Sequence, residues 1–486
     1  MSLPPGPRLP VLAQTLLFLL RPIEFLDWCH RRYGDCFVLN TLLFGREVEV
    51  VHPDLVRQVF TGDPDVLRAG EANAILGPLV GDRSVLLLDG VEHVRQRKLL
   101  MPPFHGERVA AYGITMHEIA ERAIDAWPQG SPFALYPHMQ RITLEIILRT
   151  VFGVEEGSQL GDLRDALTRV LNRLSKPVAA LLTAPPFRRT LFGLTPWDGF
   201  LRDLKHADTL ILRQIDRRRA DARRRGAVQK DVLAMLLAAR DESPPQGGGA
   251  TKQGEPMTDG ELRDELMTLL VAGHETTATM LCWFFELVLT HTVVHDRLLR
   301  ELYDVGADAQ DPDLAALARL PFLDATIKEV LRLRPVIPAV GRRLKEPLTI
   351  GSFQIPAGEL VVPASILTHR MPGLYPDPDA FKPERFLDSK PDPYAWYPFG
   401  GGARRCLGMA FSLYEMKVVV ASVLTRTRLQ KRHPEPAPVS LRGFTLVPKG
   451  GTQVILRERL SRRAKASPPQ SGGATTTTTE KARGAA

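Results

Sequence analysis

The chain has 486 residues, 44% hydrophobic and 24% charged, so it can bury a sizeable core and carries an ordinary load of charge. The net charge of +8 gathers in runs such as Arg217-Arg218-Arg219, Arg223-Arg224-Arg225 and Arg462-Arg463, which read as solvated helix faces or as a patch for an acidic partner; no nucleic-acid motif accompanies them. The four cysteines (Cys29, Cys36, Cys282 and Cys406) form no CxxC pair, which excludes a disulfide framework and a four-cysteine metal cage and fits a reducing compartment.

Residues 9–20 are apolar apart from Gln14 and Thr15, but the run is about half the ~20 residues a spanning helix needs. No basic segment precedes it and no small-residue cleavage site follows, which argues against a signal peptide. Loose contact with a membrane surface stays open. Residues 22–33 read as a short helix, 36–51 as two strands turning at Gly45-Arg46, and 54–60 as a second helix. Residues 68–88 have irregular periodicity and several glycines, and read as a loop with at most one short helix. In the segment starting at Asp89, His93 and Arg97 stand four apart, so on a helix they share a face and can clamp a carboxylate.

Residues 107–152 and 163–174 read as helices, Pro185-Pro186 as a break, and 197–225 as a long helix rich in Arg and Asp. Residues 231–240 form a short amphipathic helix and 243–256 a flexible connection. Thr258 and Glu261 make a capping box. The pattern then runs without proline to about Thr290, some nine turns. At its middle stands Ala272-Gly273-His274-Glu275-Thr276-Thr277. A mid-helix glycine costs about 1 kcal/mol against alanine and wants a reason. Ala272 and Gly273 would let a flat group approach the backbone. Thr276 can bond a preceding carbonyl, and Glu275 beside it is a plausible proton relay. A small-residue helix crossing is the plainer reading. Cys282 reads as packing.

Residues 322–333 read as a helix ended by Pro335, with Glu329 and Arg332 on one face. Residues 348–350, 353–355 and 360–362 read as strands. Residues 369–398 hold many prolines and little periodicity. Next comes Phe399-Gly400-Gly401-Gly402-Ala403-Arg404-Arg405-Cys406-Leu407-Gly408, then an apolar helix over 407–424. Glycines let this loop lie against a flat ligand, and flanking arginines favour the thiolate that binds metal. One thiolate suits an axial ligand to haem iron; the alternative is an inert buried cysteine. Gly443-Phe444-Thr445-Leu446 reads as a hairpin tip, and the chain from Arg462 as disordered.

Phe399-x-x-Gly402-x-Arg404-x-Cys406-x-Gly408 resembles the haem-binding signature of the cytochrome P450 family at every fixed position. Ala272-Gly273-x-Glu275-Thr276 resembles the family's oxygen-activation motif. Glu329-x-x-Arg332 and Pro383-Glu384-Arg385-Phe386 resemble its structural motifs. All stand in the family's order. The resemblance implies a mainly α, single-domain fold with a small β-rich region over residues 1–461, followed by a tail over 462–486. It implies haem b (iron protoporphyrin IX) between the long helix and the Cys406 loop, with Cys406 as the metal ligand. Phe399, Gly400, Arg404 and Gly408 would shape the cradle, together with Ala272 and Gly273. His93, Arg97 and Arg342 would hold the propionates, with Arg343 the one-residue alternative to Arg342. Glu275 and Thr276 would be the catalytic pair that manages protons and oxygen. Glu329, Arg332 and Arg385 would lock the fold.

The implied activity is monooxygenation of a lipophilic small molecule (a fatty acid, terpenoid or steroid-like compound) with O2. No flavin or iron–sulfur domain is legible, so a ferredoxin or flavodoxin with its NAD(P)H-dependent reductase would deliver electrons. Membrane-bound relatives carry an anchor ahead of a Pro-Pro-Gly-Pro hinge. Here that hinge stands at residues 4–7, so no transmembrane anchor and a cytoplasmic location are expected. Alternatives are a hydrogen-peroxide-dependent peroxygenase, a non-catalytic haem sensor, and a helical scaffold without cofactor.

Overall fold

A computed structural model describes residues 3–154, 157–174, 195–225, 231–240, 254–388, 390–443 and 445–463. Most of the chain is helical: α1 (Val11–Leu20), α2 (Pro22–Tyr33), α3 (Pro53–Thr61), α4 (Gly90–Leu100), α5 (Gly113–Asp125), α6 (Leu135–Thr150), α7 (Ser158–Leu174), α8 (Pro196–Arg225), α9 (Asp259–Val288), α10 (Thr292–Asp304), α11 (Pro321–Leu333) and α12 (Met409–Arg426). The axis of the fold is α9. The Thr258 hydroxyl accepts the Glu261 N–H at 3.2 Å, and the Glu261 carboxylate accepts the Thr258 N–H at 2.7 Å. This reciprocal cap satisfies two of the donors that a helix start leaves free. Every residue from Thr277 to Val288 is buried, as in a helix that the rest of a core is built around. The main apolar core gathers α5, α6, α9 and α12, with Met116, Ile147, Trp283 and Val419 among its buried members.

The β-rich part stands beside this core. Strands β1 (Cys36–Thr41), β2 (Gly45–Val50), β3 (Leu67–Arg68), β5 (Arg342–Leu344) and β8 (Leu360–Pro363) form a sheet in the order β1-β2-β8-β5-β3. The β2–β8 pair is parallel and the others are antiparallel. Strands β4 (Pro132–Ala134), β9 (Thr427–Lys431) and β12 (Gln453–Arg459) form a second sheet. β6 (Leu348–Ile350) with β7 (Phe353–Ile355), and β10 (Val439–Arg442) with β11 (Thr445–Pro448), form two hairpins. Val48, Val50, Val56, Phe60, Leu344 and Val361 close a smaller core under the first sheet.

Several expectations shift. The β1–β2 turn lies at Leu42-Leu43-Phe44, because Thr41 already pairs with Gly45. Residues 68–88 hold helical turns at Ala69–Ala72, Ala74–Leu76 and Gly77–Val80 instead of one at most. The helix expected over 107–152 is broken into Glu107–Ala111, α5 and α6, with Gly130 at φ 80° and β4 between the last two. Pro185-Pro186, most of the connection over 243–256, Phe444 and the tail beyond Arg463 lie outside the described residues. The chain is still anchored at Arg462 and Arg463: Arg462 pairs with Glu121, and Arg463 pairs with Asp308 at 3.3 Å. The arginine runs are also more than solvated faces. Arg218 is buried against Asp231 and donates to the Gly153 carbonyl at 3.0 Å, and Arg219 pairs with Asp259.

Behind the cysteine loop lies a buried charge pair. Arg332 and Glu329 on α11 are both fully buried and joined by two bonds of 2.7 and 2.8 Å. Arg332 also donates to the carbonyls of His369, Pro378 and Ala380 at 2.8, 2.7 and 3.1 Å. Arg385 reaches Glu329 at 3.5 Å, as the motif reading expected. Removing one partner of a buried pair leaves the other uncompensated, at a cost of about 3–5 kcal/mol. Arg332→Ala should therefore cost that much in denaturant unfolding followed by circular dichroism. A loss below about 1 kcal/mol would mean that the pair is not holding the fold.

Candidate active site

The cysteine loop gets its shape from glycine. Gly400 and Gly402 have φ of 67° and 64°, in the left-handed region that favours glycine. A Cβ on Gly402 would stand 2.0 Å from the Phe60 carbonyl oxygen, and one on Gly401 would stand 2.2 Å from the Phe60 ring. The loop is thus pressed against the end of α3. The Cys406 N–H donates to the Phe399 carbonyl at 2.9 Å, and the Phe399 ring is buried. Gly408 is the N-cap of α12, and its N–H donates to the Cys406 sulfur. Cys406 is the one accessible cysteine of the four, and none of them is in a disulfide. Its thiol pKa is nonetheless raised, because burial outweighs the opposing Gly408 N–H, Arg97 and Arg405. Of the two adjacent arginines, Arg405 favours the thiolate as expected and Arg404 does not act on it. Arg404 is turned away, donating to the Val85 carbonyl at 3.1 Å and pairing with Asp89. The guanidinium that helps Arg405 at the sulfur is that of Arg97, from α4.

His93, Arg97, Arg342 and Arg404 converge from three parts of the chain. Burial, then the charges of Arg404 and Arg97, push His93 down from 6.5 to about 4. Burial and Arg404 push Arg342 down to about 10. Burial lowers Arg404 to about 10 as well, against the pull of Asp89. Three guanidinium groups and an imidazole crowd together here, and the carboxylate acting on them is Asp89. Arg342 and Arg343 are separated by strand alternation. Arg342 turns inward over the Phe60 ring at 5.8 Å, while Arg343 donates to the Gly358 carbonyl at 2.8 Å on the other side of β5.

On α9, Ala272 is exposed although the helix is otherwise deep in the core. The Thr276 hydroxyl donates to the Ala272 carbonyl, one turn back. One residue on, Thr277 meets Ser412 of α12 at 3.1 Å, so the middle of α9 crosses just beyond the cysteine loop. Gly273 does a different job from the one expected. Its missing side chain makes room for Ile147 of α6, whose Cδ1 would lie 2.9 Å from an added Cβ. Glu275 is tied down by residues the sequence reading did not single out. Tyr136 donates to Oε1, Gln140 donates to Oε2 at 2.9 Å, and Arg442 at the end of β10 reaches Oε1 at 3.2 Å. The Arg442 guanidinium also lies over the Tyr136 ring, 4.8 Å from its centre. Tyr136 and Gln140 stand at i, i+4 on one face of α6, a signal that was available; Arg442 is 167 positions from its partner, beyond the reach of any local pattern.

The Cytochrome P450 family profile matches residues 4–455. The chain belongs to the cytochrome P450 family. Cytochrome P450 135B1 of Mycobacterium tuberculosis is 41% identical over 457 residues, covering 94% of this chain and 92% of that protein. Cytochrome P450 138 of Mycobacterium bovis is 38% identical over 458 residues, covering 94% and 97%. Among solved structures, retinoic-acid-bound cyanobacterial CYP120A1 matches with a TM-score of 0.78 at 25% identity, covering 95% of this chain and all of that one. CYP102L1 matches with a TM-score of 0.79 at 26% identity, covering 94% and 99%. The P450 family makes this chain an oxidoreductase, a haem monooxygenase that uses O2 and external redox partners. That a cofactor-free scaffold explains the chain is thereby excluded. The donor set fits haem: one accessible thiol on a glycine loop, and a crowd of cations short of carboxylates. Among the described residues, no single helix is long and apolar enough to cross a membrane.

The P450 cation cluster sets a pH response. With its folded pKa near 4, His93 stays neutral where an unfolded chain would take up a proton. The folded state therefore loses stability as pH falls from 6.5 toward 4, and the contribution is complete above 6.5. In haem-free protein, the melting midpoint should fall more steeply with acid in the wild type than in His93→Gln. Parallel slopes would contradict the assignment.

Proposed function

We propose that this chain holds haem b through the Cys406 thiolate and inserts one oxygen atom of O2 into a lipophilic small molecule. The observation that carries this reading is the accessible Cys406 thiol, bonded by the Gly408 N–H and facing the cation cluster's Arg97. When bound, the haem would supply the activation of O2, with electron density donated from the Cys406 thiolate. The protein's own part is binding, orientation and protons. Phe399, Gly400, Arg404 and Gly408 fix the loop. Arg97 and Arg342 would offset the propionate charge, with His93 as a neutral hydrogen-bond donor beside them. Ala272 leaves the α9 backbone approachable, and Gly273 serves that approach indirectly by seating α9 on α6. The Thr276 hydroxyl, one turn from the Ala272 carbonyl, holds a proton at the reacting face. The Glu275 carboxylate resupplies it from the Tyr136, Gln140 and Arg442 side.

Retinoic acid, bound in the cyanobacterial structure, is an isoprenoid acid, which favours a fatty acid or terpenoid over a polar substrate. The net charge of +8 favours an acidic ferredoxin or flavodoxin, fed by an NAD(P)H-dependent reductase. Four cysteines outside any disulfide fit a cytoplasmic setting.

Dithionite-reduced protein under carbon monoxide should show the strongly red-shifted Soret band of thiolate-ligated haem. Folded Cys406→Ser protein should lose it; retention of the band in that variant would remove Cys406 from the iron. Thr276→Ala should keep consuming electrons while product falls roughly tenfold or more and hydrogen peroxide rises. Unchanged product per electron would end the relay assignment and favour peroxide-driven chemistry.

A further inference from the structure

Helix α1 is inside out. Its buried side chains are Gln14 and Thr15, and both are used on β1, the edge strand of the larger sheet. An edge strand presents unpaired donors at alternate residues. Here the Val38 N–H donates to the Pro5 carbonyl at 2.9 Å, the Asn40 N–H to Gln14 Oε1 at 2.9 Å, and the Leu42 N–H to the Thr15 hydroxyl at 3.0 Å. Gln14 in turn donates to the Leu9 carbonyl at 2.8 Å. The polar face of α1 is thus consumed in covering the sheet edge. What remains outside is leucine. Leu12, Leu16 and Leu20 follow at spacings of four, one helical face, and Leu9 lies just ahead of the helix. Leu12, Leu16 and Leu20 are 60%, 48% and 75% exposed. Leu42, 62% exposed, extends the face from the β1–β2 turn that Thr15 holds.

Contiguous exposed apolar surface of this kind marks an interaction site. The flanking charge says which kind. Residues 1–23 contain Arg8 and Arg21, both exposed, and no acidic residue. A stable dimer buries about 800 Å² per partner, more than one face of a ten-residue helix presents. The helix is also about half the length needed to span a bilayer. A short helix with an apolar outer face and cationic ends lies in the plane of a lipid interface. We propose that the outer face of α1, with Leu42, docks this protein on an anionic lipid bilayer, with the leucines below the headgroups and Arg8 and Arg21 among the phosphates. This surface is independent of the haem site, and its readout needs no turnover.

The test is flotation of the full-length protein with phosphatidylcholine vesicles, with and without phosphatidylglycerol. The wild type should partition at least tenfold more strongly into the anionic vesicles. A triple variant, Leu12→Gln, Leu16→Gln and Leu20→Gln, should lose at least tenfold at an unchanged melting midpoint, because those side chains touch little. Arg8→Gln with Arg21→Gln should lose the preference for anionic lipid. Failure of the wild type to float, or equal flotation of the leucine variant, would overturn the proposal. So would a concentration-dependent dimer in sedimentation velocity that the leucine variant abolishes, without vesicle binding, which would assign the face to a second copy of the chain.

Discussion

The Cys406 loop depends on a charge pair that it does not touch. Glu329 and Arg332 are sealed from water on α11, and Arg332 uses its remaining donors on carbonyls of the irregular segment that leads to the loop. From there the chain of contacts is continuous. Arg332 bonds the His369 carbonyl, the His369 ring accepts the Tyr397 N–H at 2.9 Å, and the Tyr397 carbonyl accepts the Gly400 N–H at 2.9 Å. Tyr397 is further fixed by Thr368 at 2.7 Å. Burial pushes His369 down to about 3, so its ring remains a neutral acceptor in this relay at ordinary pH. A segment with almost no regular structure is thereby tied to α11 at several points. The cost of burying two charges is met with five hydrogen bonds from one guanidinium, a use for which arginine's planar fork is suited.

What could be read in the sequence was what is encoded locally. The capping box at Thr258 announced α9 because both partners lie within one turn. The glycine run before Cys406 was legible because left-handed backbone at Gly400 and Gly402 needs glycine whatever surrounds it. The same logic failed where a residue answers to a distant neighbour. Gly273 stands in the oxygen-activation pattern, yet the room it gives is taken by Ile147, 126 positions away. Strands β5, β9 and β12 were missed because β5 is only three residues long, and β9 and β12 pair with each other across charged side chains such as Arg428 and Glu458 instead of alternating apolar ones. The break near Gly130 has local signals in Pro128, Gly130 and Pro132, which the helical reading of residues 107–152 overrode.

The apolar run over residues 9–20 shows how a correct pattern can carry an incomplete meaning. Its hydrophobicity reads as half of a membrane span, and its two polar residues as blemishes. The fold reverses their rank. Gln14 and Thr15 are the residues that attach the segment to the body, and the leucines are what attachment leaves over. Hydropathy averages cannot see this, because they weigh a side chain without asking which way it faces.

The ion pair between Arg442 and Glu275 joins two parts of the molecule that a protein engineer would treat separately. Arg442 closes β10 beside the tight turn at Gly443, the kind of loop tip that is randomised to alter substrate choice, while Glu275 sits at the midpoint of α9. A library built at that turn also moves an acid at the heart of the protein. On the proposed relay, new products from such a library would have to be weighed together with the reducing equivalents wasted in making them.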